Sequence, residues 1–454
     1  MAATLLFIEN REKSRFWNCV AQELMRCGHD IHWLVQNPVF KHGLVGKIHL
    51  LPFPKQGEFI HDPQCNVRWP SLVTDRGREH FDAGSAHYHH YAAQIDRVFD
   101  MCRPDLVIGE PSLFHELLAC SIAEGRNIAF VHPAAERYPQ GRFVFFDGMT
   151  QNAFVESGEL MSHVDAEAYA AHVISGKEQL TYMVTKSKIA ALYSTAKWAW
   201  TRRHILVGRL AGERFNTPSL LQKWRLSRET KRNLREWLRL SSALNADEHA
   251  ILHPLQMQPE ANIDVWGRPF SNQVETIRRL LKAAPKDVYL ALKLNPKPRY
   301  EMSRALIELA QSEPRLRLLP LQTTMTDAMD QCIGAVTVCG TVGFESAFGK
   351  GRCLSLKHPI IAANLPHMTA ETPEEAVEKL LSDEKAGWGS PAMGGTIVQA
   401  IVNRSFPGIV SDPFSDPSCL DPDNVKAVAA GFEVAIESAM RKVGQPSQCV
   451  AAIV

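Results

Sequence analysis

The segment HPLQMQPEANIDVWG (253–267) places polar side chains directly after an apolar strand. Gln256 and Gln258 stand two residues apart on an extended segment and share one face, and Glu260 has the same parity. A carboxylate and two amides at the carboxyl end of a strand lie where a doubly wound domain places its ligand. The pattern predicts a ligand site, with an exposed polar loop as the alternative.

A second polar group ends the segment LALKLNPKP (290–298), where a strand runs into Lys293, Asn295 and Pro296. The Lys293 ammonium could neutralise a phosphate, and the Asn295 amide could donate a hydrogen bond to one. Either residue could equally be a surface residue.

The segment VTVCGTVGFESAFGKG (336–351) is typical of an apolar strand, a Gly-Thr turn and a helix. Free N–H groups at a helix start near Thr341 and Val342 form a phosphate cradle, and Gly340 and Gly343 permit close approach. Glu345, one turn into the helix, could accept hydrogen bonds from a ribose. The alternative is that both glycines serve only helix packing.

Taken together and in this order, the three segments resemble the bacterial capsule polysaccharide biosynthesis family, which includes retaining β-Kdo transferases. The match covers about residues 249–356. It comprises the QPEA loop (258–261), a Gly-x-x-Phe with Gln273, a strand end similar to K-x-H-P, and the GTVG-F-E turn with a following Gly-Lys. The resemblance implies a GT-B fold, with the nucleotide-sugar donor on the C-terminal domain and the acceptor on the N-terminal one.

The resemblance also implies residue roles. Glu260 occupies the position of the family's carboxylate nucleophile, and Thr341, Gly343 and Glu345 resemble the donor-binding turn. One position departs, because the family's His-Pro is Asn295-Pro296 here. Asparagine can still hydrogen-bond, but it cannot supply a charge or a proton. This departure argues against CMP-Kdo as the donor, and it affects the prediction of glycosyl transfer in general less.

Two segments of the N-terminal half carry further candidates. GEPSLFHE (109–116) offers Glu110 and His115, and VHPAAERYPQGRF (131–143) offers Glu136, Arg137 and Arg142. The second segment loosely resembles the family's acceptor side. We therefore expect Glu110 or Glu136 to activate an acceptor hydroxyl. His115, Arg137 and Arg142 are expected to bind the acceptor. The alternative is that these residues cap helices or form ion pairs at the surface.

Alternation of short apolar runs with helical patterns predicts the elements that position these residues. Strand, helix and strand follow one another at 4–8, 14–26 and 31–35, and the alternation returns at 105–133 and from 249 to 356. We expect an α/β protein of GT-B type, with two Rossmann-like doubly wound domains facing a cleft. The expected divisions are an acceptor domain (1–150), a helical basic insertion (151–245), a donor domain (246–400) and a tail with a helix packing back on the first domain (401–454).

Charge is uneven along the chain. The 454 residues carry 50 Lys and Arg against 49 Asp and Glu, so net charge gives no argument for a nucleic-acid partner. Residues 186–239 hold an excess of cations, interleaved with Trp198, Trp200, Trp224 and Trp237. This composition is typical of a helix that docks on anionic lipid, and a solvated helical insertion is the alternative.

Location and cofactors follow from what the sequence lacks. It holds no apolar run long enough to span a bilayer, and its ten cysteines form no CxxC pair or zinc-like cluster. HYHHY (87–91) is expected to give a polar helix face rather than a metal site. We expect a cytoplasmic protein, peripheral on the inner membrane, that requires no metal or cofactor.

These observations predict a glycosyltransferase. It would move a sugar from a nucleotide-sugar donor, CMP-Kdo-like or other, to a surface polysaccharide or glycolipid acceptor, with retention through Glu260. Two alternatives stay open: a non-hydrolysing nucleotide-sugar epimerase of the same fold, and a catalytically silent binding subunit of polysaccharide assembly.

Overall fold

The computed structural model describes residues 2–176, 202–216, 218–245, 247–295, 300–382 and 387–443. They form two compact units. Unit 1 contains residues 2–159, 202–216 and 404–443, and unit 2 contains residues 160–176 and the described residues of 218–403. Because the division between the units runs through residues 151–245, the predicted basic insertion contributes described residues to both units.

The strands of the described residues are β1 (Thr4–Ile8), β2 (Asp30–Val35), β3 (Lys47–Leu50), β4 (Leu106–Ile108), β5 (Ala129–Ala135), β6 (Arg142–Asp147), β7 (Ala250–Pro254), β8 (Tyr289–Lys293), β9 (Leu316–Leu318), β10 (Gly334–Thr337), β11 (Cys353–Ser355) and β12 (Phe406–Pro407).

The α-helices are α1 (Ser14–Arg26), α2 (Cys65–Arg68), α3 (Arg76–Phe81), α4 (Tyr88–Cys102), α5 (Phe114–Gly125), α6 (His163–Ile174), α7 (202–210), α8 (Leu220–Leu240), α9 (Gln273–Ala283), α10 (Arg304–Ser312), α11 (Met325–Asp330), α12 (Val342–Ala347), α13 (Pro359–Asn364), α14 (Pro373–Leu381), α15 (Pro391–Arg404) and α16 (Pro422–Val443).

Unit 1 is built on a seven-stranded sheet of order β3-β2-β1-β4-β5-β6-β12. The first five strands are parallel, β6 pairs antiparallel with β5, and β12 pairs antiparallel with β6. Alternate residues of β1 enter two different cores, with Leu5 and Phe7 on one face and Leu6 and Ile8 on the other. Helices α1 and α16 cover the first face, and α4 and α5 cover the second. The unit is therefore doubly wound.

Unit 2 repeats the same order in a five-stranded, fully parallel sheet, β9-β8-β7-β10-β11. Ile251 and Leu290 face one core, whereas Ala250, Leu252 and Ala291 face the other. In both sheets the order reverses beside the first strand of the unit. The predicted α/β class with two Rossmann-like domains is confirmed by these two sheets.

The basic helix α8 is anchored to unit 2 by its C-terminal half. Trp237 is fully buried in the core, and its indole N–H donates to the Leu319 carbonyl at 3.0 Å. Asn233 donates to the Met302 carbonyl at 2.8 Å. Trp224, in the N-terminal half, is 54% exposed. Trp237 is thus a packing residue, as the solvated-insertion alternative expects, and Trp224 is not.

We expect Trp237→Ala to lower the free energy of unfolding by about 3–5 kcal/mol, because it leaves a large cavity in a close-packed core. Trp224→Ala is the matched control and should cost less than about 1 kcal/mol, since its side chain is mostly in solvent. Urea unfolding followed by far-UV circular dichroism measures both variants. Equal losses would contradict the assignment of Trp237 as the anchor.

Candidate functional site

The switch point of unit 2 lies at the carboxyl ends of β7 and β10, where the strand order reverses. The QPEA loop follows β7 and the GTVG turn follows β10, so the sheet brings the two predicted segments together. Gln256 joins them directly, because its side-chain amide donates to the Thr337 hydroxyl at 3.1 Å. Cys339 Sγ contacts the Asn262 carbonyl at 2.9 Å across the same gap.

Gln273, at the start of α9, holds the segment between β7 and the QPEA loop in place. Its amide oxygen accepts the Gln256 backbone N–H at 2.7 Å, and its amide nitrogen donates to the Gln256 carbonyl at 2.8 Å. The same nitrogen donates to the Gln258 side-chain oxygen at 2.9 Å. Gln273 therefore fixes the position of both predicted glutamines.

Gln258 is buried, and its side chain braces the loop from within. Its amide nitrogen donates to Asp264 at 2.7 Å and to the Ser271 carbonyl at 3.0 Å. Its backbone N–H reaches the buried Glu301 carboxylate at 3.3 Å. These internal partners make Gln258 a residue that positions the QPEA loop. Its contact with the donor stays a prediction.

Glu260 is half-buried at the end of this braced loop. Its backbone N–H donates to the second Asp264 oxygen at 3.0 Å, and its carbonyl accepts the Asp264 N–H at 2.9 Å. Asp264, at 2% exposure, thus fixes the backbone on both sides of the predicted nucleophile. The peptide bond before Pro259 is cis.

The next strand end is more enclosed than the sequence predicts. Lys293 is buried, its ammonium donates to the Leu294 carbonyl at 3.3 Å, and burial lowers its pKa. Asn295 is half-buried beyond it, and Pro296 lies outside the described residues. The ammonium has three N–H donors, so it could bind a phosphate without leaving this carbonyl, provided that the phosphate reaches its enclosed position.

The GTVG turn differs in detail from the expected cradle. Two N–H groups at the start of α12 are already used, because Gly343 donates to the Gly340 carbonyl at 3.0 Å and Phe344 to that of Thr341. A Cβ at Gly343 would lie 2.5 Å from the Ser355 hydroxyl, and one at Gly340 would lie 2.6 Å from that of Thr337. The small size of both glycines is explained by close packing within the unit, as the packing alternative expects.

The remaining positions of the turn bound the same edge. Thr341 caps α12 without a side-chain hydrogen bond to the helix, and Val342 is buried in the core. Glu345 is half-buried, and burial raises its pKa although Lys350 opposes the shift. Since α12 has only six residues, its dipole is weak, and the Thr341 hydroxyl is the clearest ligand-facing candidate here.

Sequence reasoning missed the residues that support this site. Asp264, Glu301 and Thr337 bind the backbone or side chains of the two segments. Their signal was the placement of carboxyl and hydroxyl residues near apolar elements, where an unpaired polar group would be costly.

Unit 1 has its own polar crevice at the carboxyl ends of β1 and β4. Glu110 follows β4 and accepts the Lys13 ammonium at 2.9 Å. Burial disfavours its ionised form, yet the charge and hydrogen bond of Lys13, together with His132 and Arg76, outweigh it and lower the pKa of Glu110 to about 2. Because this carboxylate is a weak base, its predicted role in activating a hydroxyl requires it to leave Lys13.

Two further carboxyls of the crevice are buried. Glu116 accepts the backbone N–H groups of Glu110 and Leu113, at 2.9 and 3.1 Å, and the Asn10 amide at 3.1 Å. Burial and the charge of Glu110 nevertheless raise its pKa to about 8. Burial likewise raises the pKa of Glu9, which accepts two backbone N–H groups, to about 7.

His115 is fully buried beneath a strap formed by residues 208–216. Its Nε2 contacts the Glu9 carbonyl at 3.1 Å, and its Nδ1 accepts the Asn216 amide at 3.2 Å. Burial lowers its pKa to about 4, so the ring is neutral at physiological pH. The predicted contact of His115 with an acceptor would require the strap to move.

The strap is tightly seated. Asn216 is buried, and its amide also reaches Gln36 at 3.4 Å. The Phe215 ring stacks on His87 with centroids 4.0 Å apart.

The HYHHY segment (87–91) is largely enclosed. His87 and His90 are buried, and His89 contacts Asp62 at 2.9 Å. The expected polar face of HYHHY is therefore wrong, because His87, just before α4, and His90, within it, are both buried.

Glu136 and Arg142 lie at the hairpin between β5 and β6. Glu136 is buried and forms an ion pair with Arg404 at 2.7 Å. Arg142 donates to the Ser405 carbonyl and to Glu159, both at 2.6 Å. Arg137 is half-buried on the same turn. These internal contacts favour the structural alternative for Glu136 and Arg142, and the acceptor-side roles of all three stay predictions.

Comparison with known proteins leaves the chain without an assigned family. No protein-family model matches it, and no curated protein does. Solved structures to which it is similar include the KpsC β-Kdo 2,7 transferase of Thermosulfurimonas dismutans, with 10% identity over 95% of this chain and 98% of that one, at a TM-score of 0.37.

Two other solved structures are similar at a comparable level. The UDP-GlcNAc 2-epimerase of Methanocaldococcus jannaschii is 13% identical over 88% of this chain and 98% of that one, with a TM-score of 0.25. The calicheamicin glycosyltransferase CalG4 is 12% identical over 96% and 98%, with a TM-score of 0.23. At such low scores, the fold class rests on the strand order of the two sheets: a protein with two Rossmann-like, doubly wound α/β units.

The raised pKa of Glu116 predicts a pH-dependent stability. Its folded pKa of about 8 lies above the unfolded value, so its contribution is present at low pH and is lost as pH rises through 8. We expect the free energy of unfolding to fall by about 1–2 kcal/mol between pH 6.5 and 8, a window above the ordinary pKa of histidine.

Urea unfolding at the two pH values measures this slope. Glu116→Gln should reduce it, whereas Glu124→Gln, on the exposed face of the same helix, should leave it unchanged. Glu9 acts in the same direction, so some slope remains in Glu116→Gln. The same slope in Glu116→Gln as in the unmodified protein would contradict the assignment.

Proposed function

We propose that this protein is a nucleotide-sugar glycosyltransferase of GT-B type that acts on a surface polysaccharide or glycolipid acceptor. The observation that carries this proposal is the junction in unit 2, where Gln256 contacts Thr337 and joins the QPEA loop to the GTVG turn. Support comes from the strand order of both units and from the sequence resemblance to capsule polysaccharide enzymes.

In the proposed reaction, Glu260 acts as the nucleophile. Its carboxylate attacks the anomeric carbon, the bond from that carbon to the donor phosphate oxygen breaks, and the nucleotide leaves with the electron pair. An acceptor hydroxyl then displaces Glu260 as a second carboxylate takes its proton, so that configuration is retained. The Thr341 hydroxyl and Lys293 are the groups proposed to stabilise the leaving phosphate.

The geometry of the QPEA loop suits this role. Asp264 accepts the Glu260 backbone N–H, and Gln258 donates to Asp264, so these two side chains fix the backbone that carries the Glu260 carboxylate. A positioned nucleophile loses little entropy on reaching the transition state. The alternative activities, epimerisation and binding alone, are distinguished by products rather than by fold.

We expect Glu260→Gln to retain nucleotide binding while turnover falls by several orders of magnitude, because the amide keeps the shape but lacks the nucleophile. Glu275→Gln, exposed on α9, is the matched control. Transfer is measured with a panel of nucleotide sugars, and nucleotide binding by calorimetry.

Each result separates one alternative. Near-normal turnover by Glu260→Gln, or a product with inverted anomeric configuration, would exclude the proposed nucleophile. An altered nucleotide sugar formed without acceptor would indicate an epimerase. A protein that binds ligand but turns over no donor would indicate a binding subunit.

We further propose that the protein is peripheral on an anionic membrane through the N-terminal half of α8. Leu220, Leu221 and Trp224 are exposed there. A cavity of about 490 Å³ beside them is lined by Arg228, Glu229, Arg232, Asn233, Arg235 and Arg304. Exposed apolar side chains next to clustered arginines suit a surface of anionic headgroups. None of the described helices has the length and apolar character needed to span a bilayer.

We expect the protein to sediment with phosphatidylglycerol-containing vesicles at low salt and to be released by salt, because screening weakens each headgroup contact. The combined variant Arg225→Glu, Arg228→Glu and Lys231→Glu should lose this binding. Arg278→Glu, Lys282→Glu and Lys286→Glu, an equal charge change on other exposed residues, is the control. Equal loss in both would contradict a specific role for α8.

A further inference from the structure

The switch point of unit 1 gathers cations that none of the predicted roles uses. Arg11 and Lys13 follow β1, and Arg76 begins α3. Arg76 interacts electrostatically with Arg11, Glu110 and Glu116, which places it in the same crevice. In a parallel sheet of this order, the carboxyl ends of β1 and β4 are where a ligand is accommodated.

Arg76 is the unusual member of this group. Its Nε is buried and donates no hydrogen bond within the described part of the chain. Burial, followed by the nearby Arg11 charge, lowers its pKa to about 10, so the guanidinium is still charged at neutral pH. Burying a charged donor without an acceptor costs free energy of folding. Such a cost is typical of a functional site rather than of a purely structural one.

The carboxyls of Glu116, Glu110 and Asp75 oppose the lowering of the Arg76 pKa, but none of them accepts a hydrogen bond from its Nε. Lys13 is paired with Glu110, and the Glu116 oxygens accept from Asn10 and from backbone N–H groups. Arg11 Nη2 donates to a neutral acceptor, the Asn216 carbonyl, at 3.0 Å. A carbonyl in contact with a guanidinium occupies a position that an oxyanion would fill with a stronger hydrogen bond.

The backbone at Arg11 is also strained. Its φ is +45°, in the left-handed region that a residue with a side chain seldom adopts, and the Glu9 carboxyl accepts its N–H at 2.6 Å. Strain of this kind persists only where the surroundings fix it, and it is concentrated at ligand sites. Here the strained backbone fixes the position of Arg11 after the end of β1.

We propose that Arg76 and Arg11 bind an oxyanion, a phosphate or a carboxylate, carried by the acceptor. The guanidinium fork matches two oxygens of either group, which a lysine cannot do. Assigning the oxyanion to the acceptor rests on the proposed transferase function, whereas the site itself rests on the crevice. The acceptor is then an acidic sugar or a phosphate-bearing lipid or glycan.

The test is calorimetric titration of the full chain with inorganic phosphate and, separately, with glucuronate, at constant ionic strength. We expect at least one to bind, and the tighter one identifies the source of the oxyanion. Arg76→Gln should weaken that binding about tenfold or more, the scale of a lost charge-assisted hydrogen bond. Arg76→Lys should restore only part of it, and Arg97→Gln, exposed on α4, should change nothing.

Thermal unfolding separates a ligand site from a structural arginine. Arg76→Gln removes a buried charge that lacks an acceptor, so its Tm should equal or exceed that of the unmodified protein. A lower Tm with unchanged oxyanion binding would assign Arg76 to structure and overturn the proposal, as would failure of both probes to bind. Glu260→Gln should bind the oxyanion normally, so loss of this site is distinguishable from loss of the proposed transfer chemistry.

Discussion

The contact between Gln256 and Thr337 depends on a constraint that governs the whole of unit 2: the strand order reverses between β7 and β10. Two chain segments that leave neighbouring parallel strands must diverge there, and nothing in the sheet's own hydrogen bonding closes the gap between them. The Gln256 amide spans it, together with the contact between Cys339 and the Asn262 carbonyl. The QPEA loop, the GTVG turn and the bracing by Gln273 and Asp264 all depend on how this gap is closed.

Much of the fold was predictable because apolar periodicity is a direct consequence of burial. The first strand and helix lie where the sequence predicts them, at Thr4–Ile8 and Ser14–Arg26, since each presents a clear apolar face. The antiparallel strands β6 and β12 were not predicted. Their pairing joins Phe143 to Phe406, and no local pattern reveals a partner so distant in the chain.

The site was predictable in composition but less so in role. The spacing of Gln256 and Gln258 indicated two amides after β7, yet it could not show that Gln258 is buried and donates to Asp264. Likewise, the glycines of the GTVG turn indicated close approach, but the approaching atoms belong to Thr337 and Ser355. Residue type limits which partners are possible, and only tertiary packing selects among them. Arg76 escaped notice because an isolated arginine has no sequence pattern.

The two switch points solve the same geometric problem with different chemistry. In unit 2 the switch point combines amides and hydroxyls with the half-buried Glu260 carboxyl, whose backbone the buried Asp264 braces. In unit 1 it holds carboxyls and guanidiniums whose charges shift one another's pKa in opposite directions, as Glu110 and Glu116 show. Such a cluster keeps a fixed charge pattern only while it stays shielded from water.

The strap formed by residues 208–216 limits how the basic insertion can be deleted or exchanged. It lies within the predicted basic insertion, yet Asn216 supplies partners to Gln36, His115 and Arg11 of unit 1. Excising the basic stretch or replacing it with a flexible linker would strand these groups, at about 1–3 kcal/mol for each one left unsatisfied. The insertion is therefore not a detachable module: residues 208–216 within it pack on the interior of unit 1, and any chimera should retain them.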